Sequence, residues 1–205
     1  MPWRPDYITE AELSAFVRVG DDVDDVQVAA AATSASRAID HHCTDGGRIG
    51  RQFGLVDAPE VRYYTPRWSR RRGVWIIEID DLMTTVGLIV ATAAGAITEY
   101  DLEPRNAVVK GKPWTRIAIR KTNTVRIEGE DYEFGPTGRW GWTTIPVPVK
   151  QAAKLQGSRF LNRRDSPYGI AGSPQQGSEL RLLARVDPDV AVSLADFVRK
   201  KLVFA

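Results

Sequence analysis

Cysteine and histidine are scarce in this chain of 205 residues: one Cys43, and the adjacent His41 and His42. A single thiol closes no internal disulfide. That argues against a stapled secreted scaffold and for a fold suited to a reducing compartment. Neighbouring residues on a helix point about 100° apart, so His41, His42 and Cys43 do not grip one ion together. No other histidine or cysteine exists to complete such a site, so no metal is expected. Long apolar runs are missing too. The longest weakly polar stretch, Val86 to Ile97, is broken by Gly87, Thr92 and Gly95, well short of the roughly 18 apolar residues of a membrane span. The opening Met1-Pro2-Trp3-Arg4-Pro5-Asp6 lacks the apolar core of a signal peptide. There is no Gly-x-Ser-x-Gly elbow, no phosphate-cradling Gly-x-x-x-x-Gly-Lys-Ser/Thr loop and no Gly-x-Gly-x-x-Gly. Missing motifs do not exclude an enzyme without a recognisable signature, but they move the weight to binding or assembly.

What is present is ordinary globular composition, 43% hydrophobic and 26% charged, enough for a sizeable core. The net charge is only +2, but it is unevenly spread. Residues 1–60 carry 11 acidic and 5 basic side chains, residues 61–138 carry 10 and 12, and residues 139–205 carry 5 and 11. An acidic front and a basic rear suit head-to-tail contact between copies, or one face turned to an anionic partner.

The first fifth has helical signals. Thr9-Glu10-Ala11-Glu12 fits a capping box, Leu13, Phe16 and Val17 share a face, and Gly20 is a natural stop. Asp21-Asp22-Val23-Asp24-Asp25 then opens a second helix, with carboxylates at its positive end. These acids lead straight into helix, without the bend glycine and distant glutamate of a calcium loop. The stripe Val23, Val26, Ala30, Ala31, Ala35, Ala38, Ile39 is narrow and small, which lets another helix approach closely. From Val61 the period becomes two. Strands are predicted over 61–65, 73–79, 86–91, 97–102, 115–120 and 124–128, forming an antiparallel sandwich or curled sheet. Helical pattern returns after Pro146, with Val149, Ala152, Ala153, Gln156 and Phe160 on one face. Residues 165–179 have loop composition, and Asp187-Pro188 starts a last helix, 188–200, with Val190, Leu194, Phe197 and Val198 as its stripe. The predicted fold class is α+β: 1–60 and 141–205 as one α-helical domain, 61–140 as an inserted antiparallel β-domain.

Two features stand out. Arg67-Trp68-Ser69-Arg70-Arg71-Arg72 is a basic loop carrying an aromatic. It reads either as a solvated hairpin with one packed Trp, or as a loop facing DNA or a partner, since arginine pairs with phosphates and tryptophan stacks on bases. The other is Arg139-Trp140-Gly141-Trp142 followed by Pro146-Val147-Pro148-Val149-Lys150-Gln151-Ala152-Ala153, where two tryptophans mark the passage from sheet to helix.

That Gly-Trp, Pro, then Val-Lys-Gln-Ala-Ala order resembles the adaptor, or head–tail connector, proteins of long-tailed bacteriophages. Further segments are similar in order: Ile8-Thr9-Glu10-Ala11-Glu12-Leu13 with the acids at 21–25, Arg62-Tyr63-Tyr64, Phe160-Leu161-Asn162-Arg163-Arg164-Asp165-Ser166-Pro167, and Val186-Asp187-Pro188-Asp189-Val190. The stretch from Tyr64 to Gly141 is longer than in compact members of that family. The resemblance implies a homo-oligomeric ring, commonly of about twelve copies, under the portal protein at the capsid vertex. Such a ring extends the channel for double-stranded DNA, read without sequence specificity, and offers a surface to a stopper or tail-terminator protein. It implies a virion protein assembled in the host cytoplasm, with no catalysis, cofactor or membrane. In such a ring Lys150, Lys154, Arg159, Arg163 and Arg164 are expected near the DNA path or at subunit contacts. Arg199, Lys200, Lys201, Leu202, Val203 and Phe204, which continue a basic and apolar series, are expected to dock on the portal or to complete the helical core. The alternative is a non-virion nucleic-acid-binding protein with a basic β-domain.

Overall fold

The computed structural model describes residues 4–18, 25–44, 51–122, 125–130, 132–164, 170–171, 180–181 and 188–199. The chain mixes α-helices with antiparallel sheets and divides into two compact units. Met1–Pro5 with Arg51–Thr144 form a sheet unit, and Asp6–Gly50 with Ile145–Ala205 a helical unit.

In the helical unit, α1 (Glu10–Val17) starts at a complete capping box. The Thr9 hydroxyl accepts from the Glu12 amide at 3.1 Å, and the Glu12 carboxylate accepts from the Thr9 amide at 3.0 Å. Helix α2 (Asp25–Cys43) packs against α1 and, over a longer contact, against α3 (Val147–Arg164). Of the predicted stripe Ala31, Ala35 and Ile39 are buried, but Val26 and Ala30 are exposed and Ala38 is half-buried; Val28, Ala32 and Cys43 complete the buried face instead. Spacings of three and four residues from Val28 keep one face inward, which the run through Val26 did not respect. On α3, Val149, Ala152, Ala153 and Gln156 are buried as expected and Phe160 is half-buried. The last helix, α4 (Pro188–Leu194), is shorter than 188–200. A 3₁₀ turn, Ala195–Phe197, follows, and Val198 is extended with φ −64° and ψ 127°. The Arg199 amide instead donates to the Cys43 carbonyl at 2.9 Å. Tyr7 is fixed on α2: its amide donates to Ser36 Oγ at 3.0 Å and its hydroxyl to Asp40.

The sheet unit is built on two long strands. In order, its strands are β1 (Glu60–Val61), β2 (Arg67–Ser69), β3 (Val74–Leu82), β4 (Ala91–Thr92), β5 (Gly95–Ala96), β6 (Asp101–Glu103), β7 (Trp114–Arg120) and β8 (Thr137–Gly138). A four-stranded antiparallel sheet runs β2-β3-β7-β6, with β1-β8 and β4-β5 as small flanking pairs. Strands β3 and β7 lie where period-two alternation put them. Their inward Ile77, Ile79, Ile117 and Ile119 meet Val56, Phe134 and Trp140 in one core. Val56 takes this unit back beyond residue 61, and Trp142 carries it past 140.

Several predicted strands are corrected. Residues 61–65 pair with 134–138 only intermittently, because Pro136 has no amide to donate. Gly87, at φ +74°, breaks 86–91, which keeps a bridge at Ile89 and, in β4, Ala91. Of 97–102 only Asp101 and Leu102 join the four-stranded sheet, in β6. Residues 125–128 form no strand, since the Glu133 carboxylate takes the amides of Glu128 and Gly129. Arg67–Ser69, assigned to a loop from composition, is a strand. In the 165–179 loop, Ile170–Ala171 is a strand, β9, paired with β10 (Leu180–Arg181). The Gly20 stop and residues 21–24 lie outside the described residues.

Candidate functional site

The polar clusters of the sheet unit are largely self-satisfied. A register shift between Glu78 and Leu82 lets the adjacent Asp80 and Asp81 each find a cation. Buried Asp81 pairs with Arg51 at 2.7 Å and accepts from Trp142 Nε1 at 2.9 Å. Asp80 pairs with Arg62 at 2.7 Å and accepts from the Tyr64 hydroxyl at 3.0 Å. Burial, then the negative charge of Asp80, pushes the Tyr64 hydroxyl far up, so it stays protonated. Burial opposes the charge on Arg62, but Asp80 and Glu60 outweigh it and raise its pKa. Arg62 also lies 5.4 Å over the Trp140 ring. These groups hold the β3 end together and leave no free acid or base.

The other end of the sheet is different. Strands β2 and β3 form a hairpin whose turn closes through the Gly73 amide to the Ser69 carbonyl at 2.9 Å, with Gly73 at φ +64°. Trp68 faces Trp75 across the pair, and their rings stand edge to face at 5.4 Å. Strand β7 pairs Arg120 with Val74, which brings its end beside the same turn. The chain then returns through Val125 to Glu130. This return is pinned by Glu133, whose carboxylate accepts the Gly129 amide at 2.8 Å and the Glu128 amide at 3.0 Å. Gly129, at φ +83°, lies against the Trp75 ring, where a Cβ would come within 3.0 Å. Between these parts opens a groove of about 500 Å³, with Trp68, Trp75, Val125 and Ile127 as apolar walls and Arg120, Lys121 and Arg126 as cationic ones.

The charges around this groove are unevenly compensated. Arg72 binds Glu103, with Nη1 to Oε2 at 2.9 Å. The hydrogen bond from Arg72, followed by its charge and that of Arg116, holds the Glu103 carboxyl below its ordinary value. Arg126 pairs with Glu128 at 3.3 Å. Arg67, Arg70, Arg71, Arg120 and Lys121 make no ion pair among the described residues, and all five are exposed.

The structure therefore places Arg67, Trp68, Arg70, Arg71 and Arg72 at one sheet end, with Arg72 committed to Glu103. It adds Trp75, Arg120, Lys121 and Arg126, which sequence reasoning missed. The basic pair at the end of β7 and the tryptophan two residues after Gly73 were legible; the strand register that unites them was not. On α3, Lys150 reaches Glu12 at 3.4 Å, while Lys154, Arg159 and Arg163 are half-buried. The side chain of Arg164, and Lys200 to Phe204, lie outside the described residues. His41 is exposed, His42 half-buried and Cys43 buried. No group of three potential metal ligands occurs among the described residues. No described helix is long and apolar enough to cross a membrane. No protein-family model matches the sequence, and no curated protein matches it.

Proposed function

We propose that the protein is a ring-forming adaptor at a phage head–tail junction, stacked under a portal and extending the channel for double-stranded DNA. The observation that carries this reading is the chain order of the helical unit. Helices α1 and α2 precede the sheet unit and α3 and α4 follow it, in the order of the segments that resemble the connector family. The charge gradient from acidic front to basic rear supports contact between successive copies. In this reading Lys150, Lys154, Arg159, Arg163 and Arg164 serve the DNA path or subunit contacts. The segment from Arg199 to Phe204 docks on the portal, and the opposite surface receives a stopper or tail terminator. A channel must let DNA slide, so partly neutralised cations such as Lys150, paired with Glu12, suit it better than a dense basic wall. Light scattering on the purified protein, alone and with portal-bearing heads, tests the reading. Assembly into a ring of about twelve copies, or stable capture by the heads, is the expected result. A monomer that ignores the heads and binds duplex DNA tightly and salt-sensitively would replace it with the non-virion nucleic-acid-binding reading.

A further inference from the structure

We propose that the groove between Trp68, Trp75 and the 125–130 return binds an unpaired strand of nucleic acid. One base would enter against the indoles, and the flanking phosphates would lie on Arg70, Arg71, Arg120 and Lys121. The proposal stands on the groove alone and not on the connector reading.

Two independent features meet here. The first is an apolar slot with an aromatic wall. Trp68 keeps 37% of its surface exposed, although its partner Trp75 is packed beneath it. The slot's 500 Å³ lies in the usual range of small-ligand sites, roughly 300–1,000 Å³. The second is uncompensated positive charge. Glu103 pairs with Arg72 and Glu128 with Arg126, the Glu133 carboxylate is taken by backbone amides, and Arg70, Arg71, Arg120 and Lys121 make no ion pair among the described residues, so these clustered cations repel one another until an anion arrives. A ligand must therefore offer a flat apolar group and closely spaced negative charge together. Each nucleotide of a single strand does so, one base to one phosphate. An acidic peptide satisfies the cations but carries no flat group beside each charge. An intact duplex keeps its bases stacked inside, out of reach of the slot.

The site is also built to hold its shape. Glu133 fixes the return loop through its amides, and Gly129 lets that loop lie against Trp75. Exposed aromatic surface is thus backed by a positioned wall. This separates the groove from a loose basic turn.

The test is fluorescence anisotropy of the full chain with a labelled thymidine oligomer of about 12 nucleotides, a duplex of equal length and a polyglutamate peptide. The oligomer should bind tightest and quench tryptophan emission. Trp68→Ala should weaken it roughly tenfold with the salt dependence unchanged, and Trp68→Phe should recover most of the loss. Arg120→Ser with Lys121→Ser should lower the logarithmic salt slope by about 1.4, at about 0.7 per phosphate contact on a single strand. Equal binding of duplex or polyglutamate would overturn the proposal. So would an oligomer indifferent to Trp68→Ala in a variant whose circular dichroism is unchanged, or no binding at low salt. Ring assembly is scored separately. A Trp68→Ala protein that still forms rings leaves the connector reading standing, and a monomer that binds the oligomer leaves the groove standing.

Discussion

In the helical unit the buried faces of α2 and α3 carry Ala31, Ala32, Ala35, Ala152 and Ala153, whereas the sheet unit closes over Ile77, Ile79, Ile117, Ile119, Phe134 and Trp140. Small residues let two helix backbones approach, and the contact is spread thinly over many positions. Little is lost when one such residue is trimmed, but any added atom must push the helices apart. Large residues invert this: each carries a large share of the buried area, and its removal leaves a cavity. Each unit also buries one carboxylate: Asp40 takes the Tyr7 hydroxyl and Arg37 in the helical unit, and Asp81 takes Arg51 and Trp142 in the sheet unit, so the contrast lies in the apolar packing. The sheet unit should therefore fail on deletion at its large core positions, and the Ala-rich contact of α2 with α3 should resist trimming but not enlargement.

The largest effect is expected at Gly141. Its φ is +105°, and a Cβ there would fall inside the carbonyl of Gly54. Because the obstacle is backbone, no side chain can turn away, and Gly141→Ala should cost more than about 4 kcal/mol. Hydrogen exchange should show lost protection through 74–82 and 114–120; retained protection there would mean that the 51–54 segment moves freely. Next comes Asp81→Asn. The neutral amide still accepts from Trp142 but leaves Arg51, 12% exposed, without its counter-charge. Removing one partner of a buried pair costs roughly 3–5 kcal/mol. Urea unfolding followed by tryptophan emission checks it, and a loss below about 1 kcal/mol would class the pair with surface bridges.

The same contrast explains what could be read without coordinates. Thr9 and Glu12 name the start of α1 because both halves of a capping box lie within four residues. Strands β3 and β7 show in the alternation around Ile77 and Ile117. Strand β2 was invisible, since Arg67-Trp68-Ser69 owes its strand character to pairing with Val74 to Ile76. Residues 125–128 carry strand-forming types, yet a carboxylate five residues away, Glu133, occupies the Glu128 amide. The candidate site divides likewise. Trp68 with Arg70 and Arg71 stood out as a local cluster, but Arg120 joins them only through a register that places it opposite Val74. Local chemistry is legible in a sequence; pairing across 45 or more residues is not.

The helical unit supplies the converse test. Ala35 is fully buried on the α2 face, and Ala35→Leu should cost about 1–3 kcal/mol by overpacking, although leucine is itself a good helix former. Exchange protection should fall in 25–43 and 147–164. Unchanged protection would show that slack remains between the helices. Thr9→Ala should cost about 1 kcal/mol, the usual loss of an N-cap, and should raise exchange only in the amides of residues 10–13.

The smallest effect, and the one that dissects the capping box, is Glu12→Gln. The Thr9 amide, with Lys150 after it, holds the Glu12 carboxyl below its ordinary value of 4.5. A carboxyl with a depressed folded pKa adds stability above its unfolded pKa and loses that contribution as pH falls through the folded value. Glutamine keeps an oxygen for the Thr9 amide but drops the charge facing Lys150, whose pairing is about 41% exposed on the lysine side. Solvent screening limits such a pair to roughly 0.5 kcal/mol or less. The variant should thus be slightly weaker than the parent at pH 7, and the gap should narrow at pH 3, as the pH falls toward the depressed pKa of the Glu12 carboxyl and it takes up its proton. Paired urea curves at the two pH values read the difference directly. The same deficit at both would trace the loss to hydrogen-bond geometry at Thr9 rather than to charge.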